Sequence, residues 1–252
     1  MKIGVLVKRV PDTEARITVG ADGKSIDESG IEFIISPYDE IAVEVALQLK
    51  EKHGGEVVVV CYGPKEAATV VRKALAMGAD RAVLITESTK EHEPAQTAKV
   101  LSSVLKEEGF DLILAGRQAI DDDSAQVGPM LAEILGLPCV TDASKLEFDP
   151  AAKKAVVHKE IEGGEETVEV STPAIITCQK GIAEPRLPSL KGIMMAKRKP
   201  LKEAQPAEEP ELMTKVVKMD YPPKRPPGRI IGEGTEAVGE LVRLLKEEAK
   251  IL

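Results

Sequence analysis

The 252-residue chain has no tryptophan and only three tyrosines and three phenylalanines. Its core must therefore be built from Val, Ile, Leu and Ala, which suits a parallel sheet covered by helices on both faces. Cysteine is also scarce. Cys61, Cys139 and Cys178 are isolated and odd in number, with neither metal-ligand spacing nor the pairing of a disulfide framework. Free thiols in a reducing cytoplasm are expected. No apolar run approaches the ~20 residues of a membrane-spanning helix, so no membrane insertion is expected. Nothing at the N-terminus resembles a signal peptide. The formal net charge of −8 argues against a nucleic-acid binder, which needs a basic face to neutralise phosphates.

Several catalytic signatures are missing as well. There is no G-x-G-x-x-G after the first strand, no G-x-x-x-x-G-K-[ST] and no G-x-S-x-G. His53, His92 and His158 lie in unrelated segments and read as surface or turn residues. No nucleophile–base pair emerges, and no catalytic centre is expected.

What is present is an alternation of strands and helices. Residues 2–9 (KIGVLVKR), 56–61 (EVVVVC), 81–85 (RAVLI) and 110–115 (FDLILA) are short apolar runs of strand length. Helices are predicted between them. The first opens at Ser36 as N-cap, with Pro37 at its first position and Asp39 at the capping-box position, and stops at His53-Gly54-Gly55. Others are predicted over 65–77, 95–108 and 124–135, before Gly136, Pro138 and a strand start at Cys139-Val140. Such alternation indicates βαβ units. From about residue 143 the style changes to short strands over 145–148, 155–160, 166–171 and 174–177, with Glu162-Gly163-Gly164 as a hairpin turn. The fold class is therefore α/β: a doubly wound, mostly parallel sheet with an antiparallel extension and an extended C-terminal arm ending in a helix.

The arm spans 185–227 and holds nine prolines, Pro210 and Pro226 among them. It can bury little surface of its own. A helix over 235–251 follows, striped by Val238, Leu241, Val242, Leu245 and Ala249. Arm and helix either wrap the chain's own body or embrace another subunit. Ordering so long a tail is costly unless it covers substantial area.

In a doubly wound sheet, ligands bind beyond the carboxyl ends of the strands at the switch in strand order. Three loops should meet there: Val7-Lys8-Arg9, Cys61-Tyr62-Gly63-Pro64, and the segment from Gly116 to Val127. The last runs into a helix whose first N–H groups can receive an anion. Its Asp121-Asp122-Asp123 run has three readings: a solvated helix-start cluster, a Mg2+ site with phosphates as co-ligands, or part of a nucleotide-binding loop.

Five blocks resemble the electron-transfer flavoprotein β-subunit family, in that family's order. They are Val7-Lys8-Arg9-Val10-Pro11-Asp12, Ser36-Pro37-Tyr38-Asp39-Glu40-Ile41-Ala42-Val43-Glu44, and Lys73-Ala74-Leu75-Ala76-Met77-Gly78-Ala79-Asp80-Arg81-Ala82. Gly116-Arg117-Gln118-Ala119-Ile120-Asp121-Asp122-Asp123 and Ala183-Glu184-Pro185-Arg186-Leu187-Pro188-Ser189-Leu190, followed by Met195-Ala196-Lys197-Arg198-Lys199, complete the set.

The resemblance implies an adenine-nucleotide α-hydrolase-like sheet and a heterodimer whose α subunit holds the redox-active FAD. It implies AMP in this chain, with contacts at Leu6, Ser36, Pro37, Tyr38, Asp39, Tyr62, Gly116, Arg117, Gln118, Ala119, Ile120, Asp121, Asp122, Asp123, Ser124, Ala125, Gln126 and Val127. It further implies a recognition loop over about 184–199 with Leu190 as the apolar anchor for acyl-CoA or other dehydrogenases. Glu160 matches a position that pairs with an Arg of the α subunit, and a quinone oxidoreductase or similar acceptor would take the electrons. Residues 1–182 then form the nucleotide-binding domain, and 183–252 the loop, arm and helix around the partner.

Two departures from the family bear on the cofactor. Ser36 stands where AMP-type members have Asn, and the Ala125-Gln126-Val127-Gly128-Pro129 run is closer to bifurcating members with a second FAD reduced by NADH. Asp122 stands where those members have Gly, which favours AMP. Outside the family, a stand-alone adenine-nucleotide-binding regulatory protein fits the sheet and gives no reason for the arm.

Overall fold

A computed structural model describes residues 1–87, 93–208, 211–225 and 227–252; His92, Pro210 and Pro226 lie outside the described residues. The first half alternates as the apolar runs demand. Strand β1 (Lys2–Val7) is followed by a small antiparallel pair, β2 (Arg9–Pro11) and β3 (Phe33–Ile35). Then come α1 (Pro37–His53), β4 (Glu56–Gly63), α2 (Ala68–Met77), β5 (Arg81–Thr86), α3 (Pro94–Glu108), β6 (Leu112–Gly116) and α4 (Val127–Leu135). The second half comprises β7 (Cys139–Asp149), β8 (Lys154–Ile161), β9 (Gly164–Ser171) and β10 (Ile175–Cys178). The tail carries α5 (Leu190–Ala196), β11 (Leu201–Ala204) and α6 (Val238–Glu247).

Among the described residues nine strands form one sheet in the order β11-β5-β4-β1-β6-β10-β7-β8-β9. It is parallel from β11 to β7, and β7, β8 and β9 continue it as an antiparallel meander. The parallel strands are buried on both faces, which is why they read as unbroken apolar runs. Helices α1 and α2 close one face through Ile41, Val45, Leu49, Val71 and Leu75. Helix α3 closes the other through Ala98, Leu101 and Leu105, joined by Leu131 of α4. Burying each such side chain is worth about 1.5–3 kcal/mol, so these two aliphatic layers stabilise the sheet without tryptophan.

The structure departs from the sequence reading in several places. The capping box at α1 does not form: Ser36 Oγ is buried without a hydrogen-bond partner among the described residues. The Asp39 carboxylate turns away to strand ends instead. Helix 65–77 opens with a 3-10 turn, Lys65–Ala67. Helix α4 begins at Val127 rather than Ser124, because Asp123 and Ala125 take left-handed φ values of 51° and 53°. The strand start at Cys139 and the strand at 145–148 are one eleven-residue strand; its register against β10 shifts between Val140 and Ala143, where Asp142 has φ 60°. Residues 185–227 are not uniformly extended, since α5 and β11 lie within them and β11 pairs with β5 at the sheet edge. The last helix begins with a 3-10 turn, Thr235–Ala237, and ends at Glu247, four residues short of the predicted Ile251.

Candidate functional site: a cleft where β1 and β6 part

The chain moves outward from β1 to β4 and β5, then crosses to the other side of β1 to place β6. The switch in strand order therefore lies between β1 and β6. Their pairing runs from Ile3–Leu112 only to Val5–Leu114, although both strands continue for two more residues. On their outer sides the ladders persist, β1 with β4 to Val7–Cys61 and β6 with β10 to Gly116–Cys178. The two central strands thus part at their carboxyl ends, and a crevice opens there.

Asp39, only 7% exposed, fills the base of the gap. Its Oδ2 accepts from the Lys8 backbone N–H at 2.8 Å and its Oδ1 from that of Gly116 at 2.9 Å. The carboxylate replaces the ladder bonds that the parted strands have lost. Burial pushes its carboxyl up to about 7, against the pull of those two N–H donors and of the Lys8 charge. Gly116 is required by the close approach: a Cβ there would lie 2.5 Å from Asp39 Oδ1 and 2.7 Å from the Asp39 nitrogen.

Above this base lies an open cleft with a largely apolar lining, the kind of concave site that small molecules occupy. Of the residues singled out from sequence, Leu6, Asp39, Tyr62, Gly116, Arg117, Gln118, Ala119, Asp122, Ser124, Ala125, Gln126 and Val127 line it. Ser36, Pro37, Tyr38, Ile120, Asp121 and Asp123 are not part of its wall. The sequence reading missed Val60, Glu93, Pro94, Thr97, Leu101 and Gly128, and placed Lys8 in a loop without giving it a contact. Pro94, Thr97 and Leu101 sit on α3, and Glu93 stands at its N-cap position. Only the strand order shows that α3 crosses to the cleft's side of the sheet, so no local signal in the sequence marked them.

The Asp121-Asp122-Asp123 run is used internally. Lys8 Nζ bonds Asp121 Oδ1 at 2.8 Å and Asp122 Oδ2 at 3.0 Å. Burial lowers the Lys8 ammonium, but the two aspartates outweigh it and hold the group above its ordinary range. Asp122 also accepts from Ser124 N–H at 3.1 Å, and Asp123 accepts from Gln118 Nε2 at 2.6 Å. These bonds and the two left-handed residues curl the loop so that residues 124–128 reach the cleft at the start of α4, whose first turn has no side-chain cap. Uncapped helix starts present N–H groups and a positive dipole end to an anion. Leu6, Val60, Tyr62 and Leu101 give the same cleft a largely apolar lining. An apolar lining and an anion-receiving helix start suit the base and the phosphate of a nucleotide. Glu93, on the rim, accepts from Met213 N–H and Thr214 N–H at 3.0 Å each and from Thr214 Oγ1 at 2.7 Å, so the tail crosses the cleft's edge.

The electron transfer flavoprotein domain pattern matches residues 24–209. Electron transfer flavoprotein subunit beta of Bacillus subtilis is 44% identical over the full length of both chains, and that of Bradyrhizobium diazoefficiens likewise. The mitochondrial subunit beta of Oryza sativa subsp. japonica is 39% identical, again over both full lengths. The chain belongs to the electron transfer flavoprotein β-subunit family. It is an electron-transfer subunit and not a catalytic enzyme.

Cys61, Cys178, His53 and His158 lie outside the cleft wall. Cys61 and Cys178 are buried, which pushes both thiols up to about 12 and leaves them unreactive. His53 packs edge-on against Phe148, and His158 Nδ1 lies 2.6 Å from Glu165 Oε1. Glu160 is exposed on β8, directly across from Glu165 of β9. Leu190 opens α5 and is 83% exposed. No helix among the described residues is long and apolar enough to cross a membrane.

Proposed function

We propose that this chain is the β half of a heterodimeric electron-transfer flavoprotein, holding AMP in the β1–β6 cleft and docking dehydrogenases through the loop around Leu190. The parting of β1 and β6 carries this reading, because the crevice it opens brings an apolar lining and an uncapped helix start into one cleft. The adenine would lie toward Leu6, Val60 and Leu101, and the phosphate toward residues 124–128. AMP takes no part in redox chemistry. The partner's FAD supplies that when bound, while this chain fixes loops, presents Leu190 and offers surface to the α subunit.

Two features support a partner. Val238, Leu241 and Val242 of α6 are all exposed on one face. Glu160 and Glu165 set like charges opposite each other, an arrangement that a cation from the partner would relieve.

A second reading, a bifurcating subunit with its own FAD, is favoured by the Ala125-Gln126-Val127-Gly128-Pro129 run. Asp122 opposes it, because its side chain stands on the cleft wall tied to Lys8. Purifying the chain with a co-expressed α subunit, denaturing the complex and quantifying released nucleotides separates the readings. One FAD and one AMP per heterodimer is expected; two FAD and no AMP would establish the second reading.

A further inference from the structure

The loop that precedes the tail exposes Leu187 at 90%, Leu190 at 83% and Met194 at 71%. Left free, such side chains would collapse onto the nearest apolar surface. Their backbone is instead pinned at both ends. At the near end, Arg186 Nε and Nη2 donate to the two oxygens of Glu44 at 2.7 and 2.9 Å, and the Arg186 backbone N–H donates to the same carboxylate at 3.2 Å. The Arg186 Nη1 reaches Glu51 one to two turns along α1. At the far end, Arg72 of α2 donates to the carbonyls of Ala196 and Lys199. Lys199 Nζ returns to α2, bonding Leu75 O at 2.9 Å and Ala79 O at 2.6 Å, where a cation complements the helix end. Between the two clamps Gly192 rests on α2, since a Cβ there would lie 2.3 Å from Ala76 O.

Glu44 is the unexpected member. It is 3% exposed, in a helix whose neighbouring positions Val43 and Val45 are core. A buried carboxylate is unfavourable unless paired and hydrogen-bonded, and an aliphatic residue would serve packing better. Its partners are Arg186 and Gln48, whose Nε2 donates at 3.0 Å. Burial raises the Glu44 carboxyl, but the bonds from Arg186 and Gln48 outweigh it and keep it below the usual range.

We propose that Glu44 is a positioning residue for the docking loop, locking Arg186 so that Leu187, Leu190 and Met194 are presented in one arrangement. A partner then meets a rigid apolar knob and is spared the entropy of ordering it. This rests on the reading of Leu190 as a dehydrogenase anchor.

The test uses the intact heterodimer. In Glu44→Gln, amide exchange over residues 187–196 should quicken about tenfold or more, the effect of losing a charge-assisted bond. Exchange in the rest of α1 and the FAD content should stay as in the parent. The KM for the dehydrogenase should rise with little change in kcat. Arg186→Lys, which keeps the charge but loses the two-pronged fit, should loosen the same segment without leaving a buried carboxylate unpaired. Unchanged exchange over 187–196 in both variants would overturn the proposal. So would an equal rise throughout α1 in both, which would make Glu44 merely structural. Faster loop exchange with an unchanged KM would uphold the clamp and refute the docking role of Leu190.

Discussion

Helices α1 and α6 treat their apolar side chains in opposite ways. The first is enclosed on nearly every side, with Ile41, Val45, Leu47 and Leu49 all buried. The second aligns Val238, Leu241 and Val242 in one stripe, pairs Arg243 with Glu240 and Glu247 on its charged side, and leaves every residue at least partly exposed. Ordering a residue costs about 1–2 kcal/mol of backbone entropy. The body meets that cost internally, whereas among the described residues α6 buries no side chain. The body opens at the β1–β6 cleft, a gap suited to a small molecule. The tail opens along whole apolar faces, which suit a protein.

The contrast breaks most readily at the base of the cleft. Gly116→Ala puts a methyl against Asp39 and Tyr38, and overpacking of this kind costs about 1–3 kcal/mol. Denaturant unfolding of the heterodimer should show that loss, together with depleted nucleotide. A neutral result would mean that the base yields and is not what shapes the cleft.

On the tail side, Leu190→Ala should raise the KM for a dehydrogenase by about tenfold, in keeping with an anchor worth 1–2 kcal/mol. FAD content and unfolding midpoint should not move. An unchanged dehydrogenase-coupled rate would remove Leu190 from the interface.

A third effect concerns pH. Asp39 has its carboxyl at about 7 in the fold against an ordinary 3.8. Between those values the folded chain holds a proton that the unfolded chain has released. Stability from this group is therefore full below about pH 4, falls as pH rises towards 7, and is flat above. Asp39→Asn removes that slope, so the difference in stability between parent and variant should shrink from pH 4 to 7. A constant difference would show that Asp39 is ionised throughout.

The parallel strands were legible because burial on two faces writes itself as Val, Ile and Leu runs, as in β4. The three loops around the cleft followed from that alternation. Element edges were less legible where long-range contacts override local chemistry. Asp39 left its capping box to hold two strand ends, and nothing near Ala125 signals its left-handed φ. The α3 wall of the cleft depends on strand order, which composition does not encode. Helix α5 and strand β11 escaped notice because nine prolines in 185–227 suggested an extended arm. Their stability comes from tertiary partners, namely Arg72, Lys199 and the open edge of β5.

The most direct measurement is hydrogen exchange over Val238–Glu247 in the chain alone and in complex with the α subunit. Fast exchange in the free chain, strong protection in the complex and little change in β1, β4 and β6 are predicted. Protection of α6 already complete in the free chain would contradict the division between a self-sufficient body and a tail made for a partner.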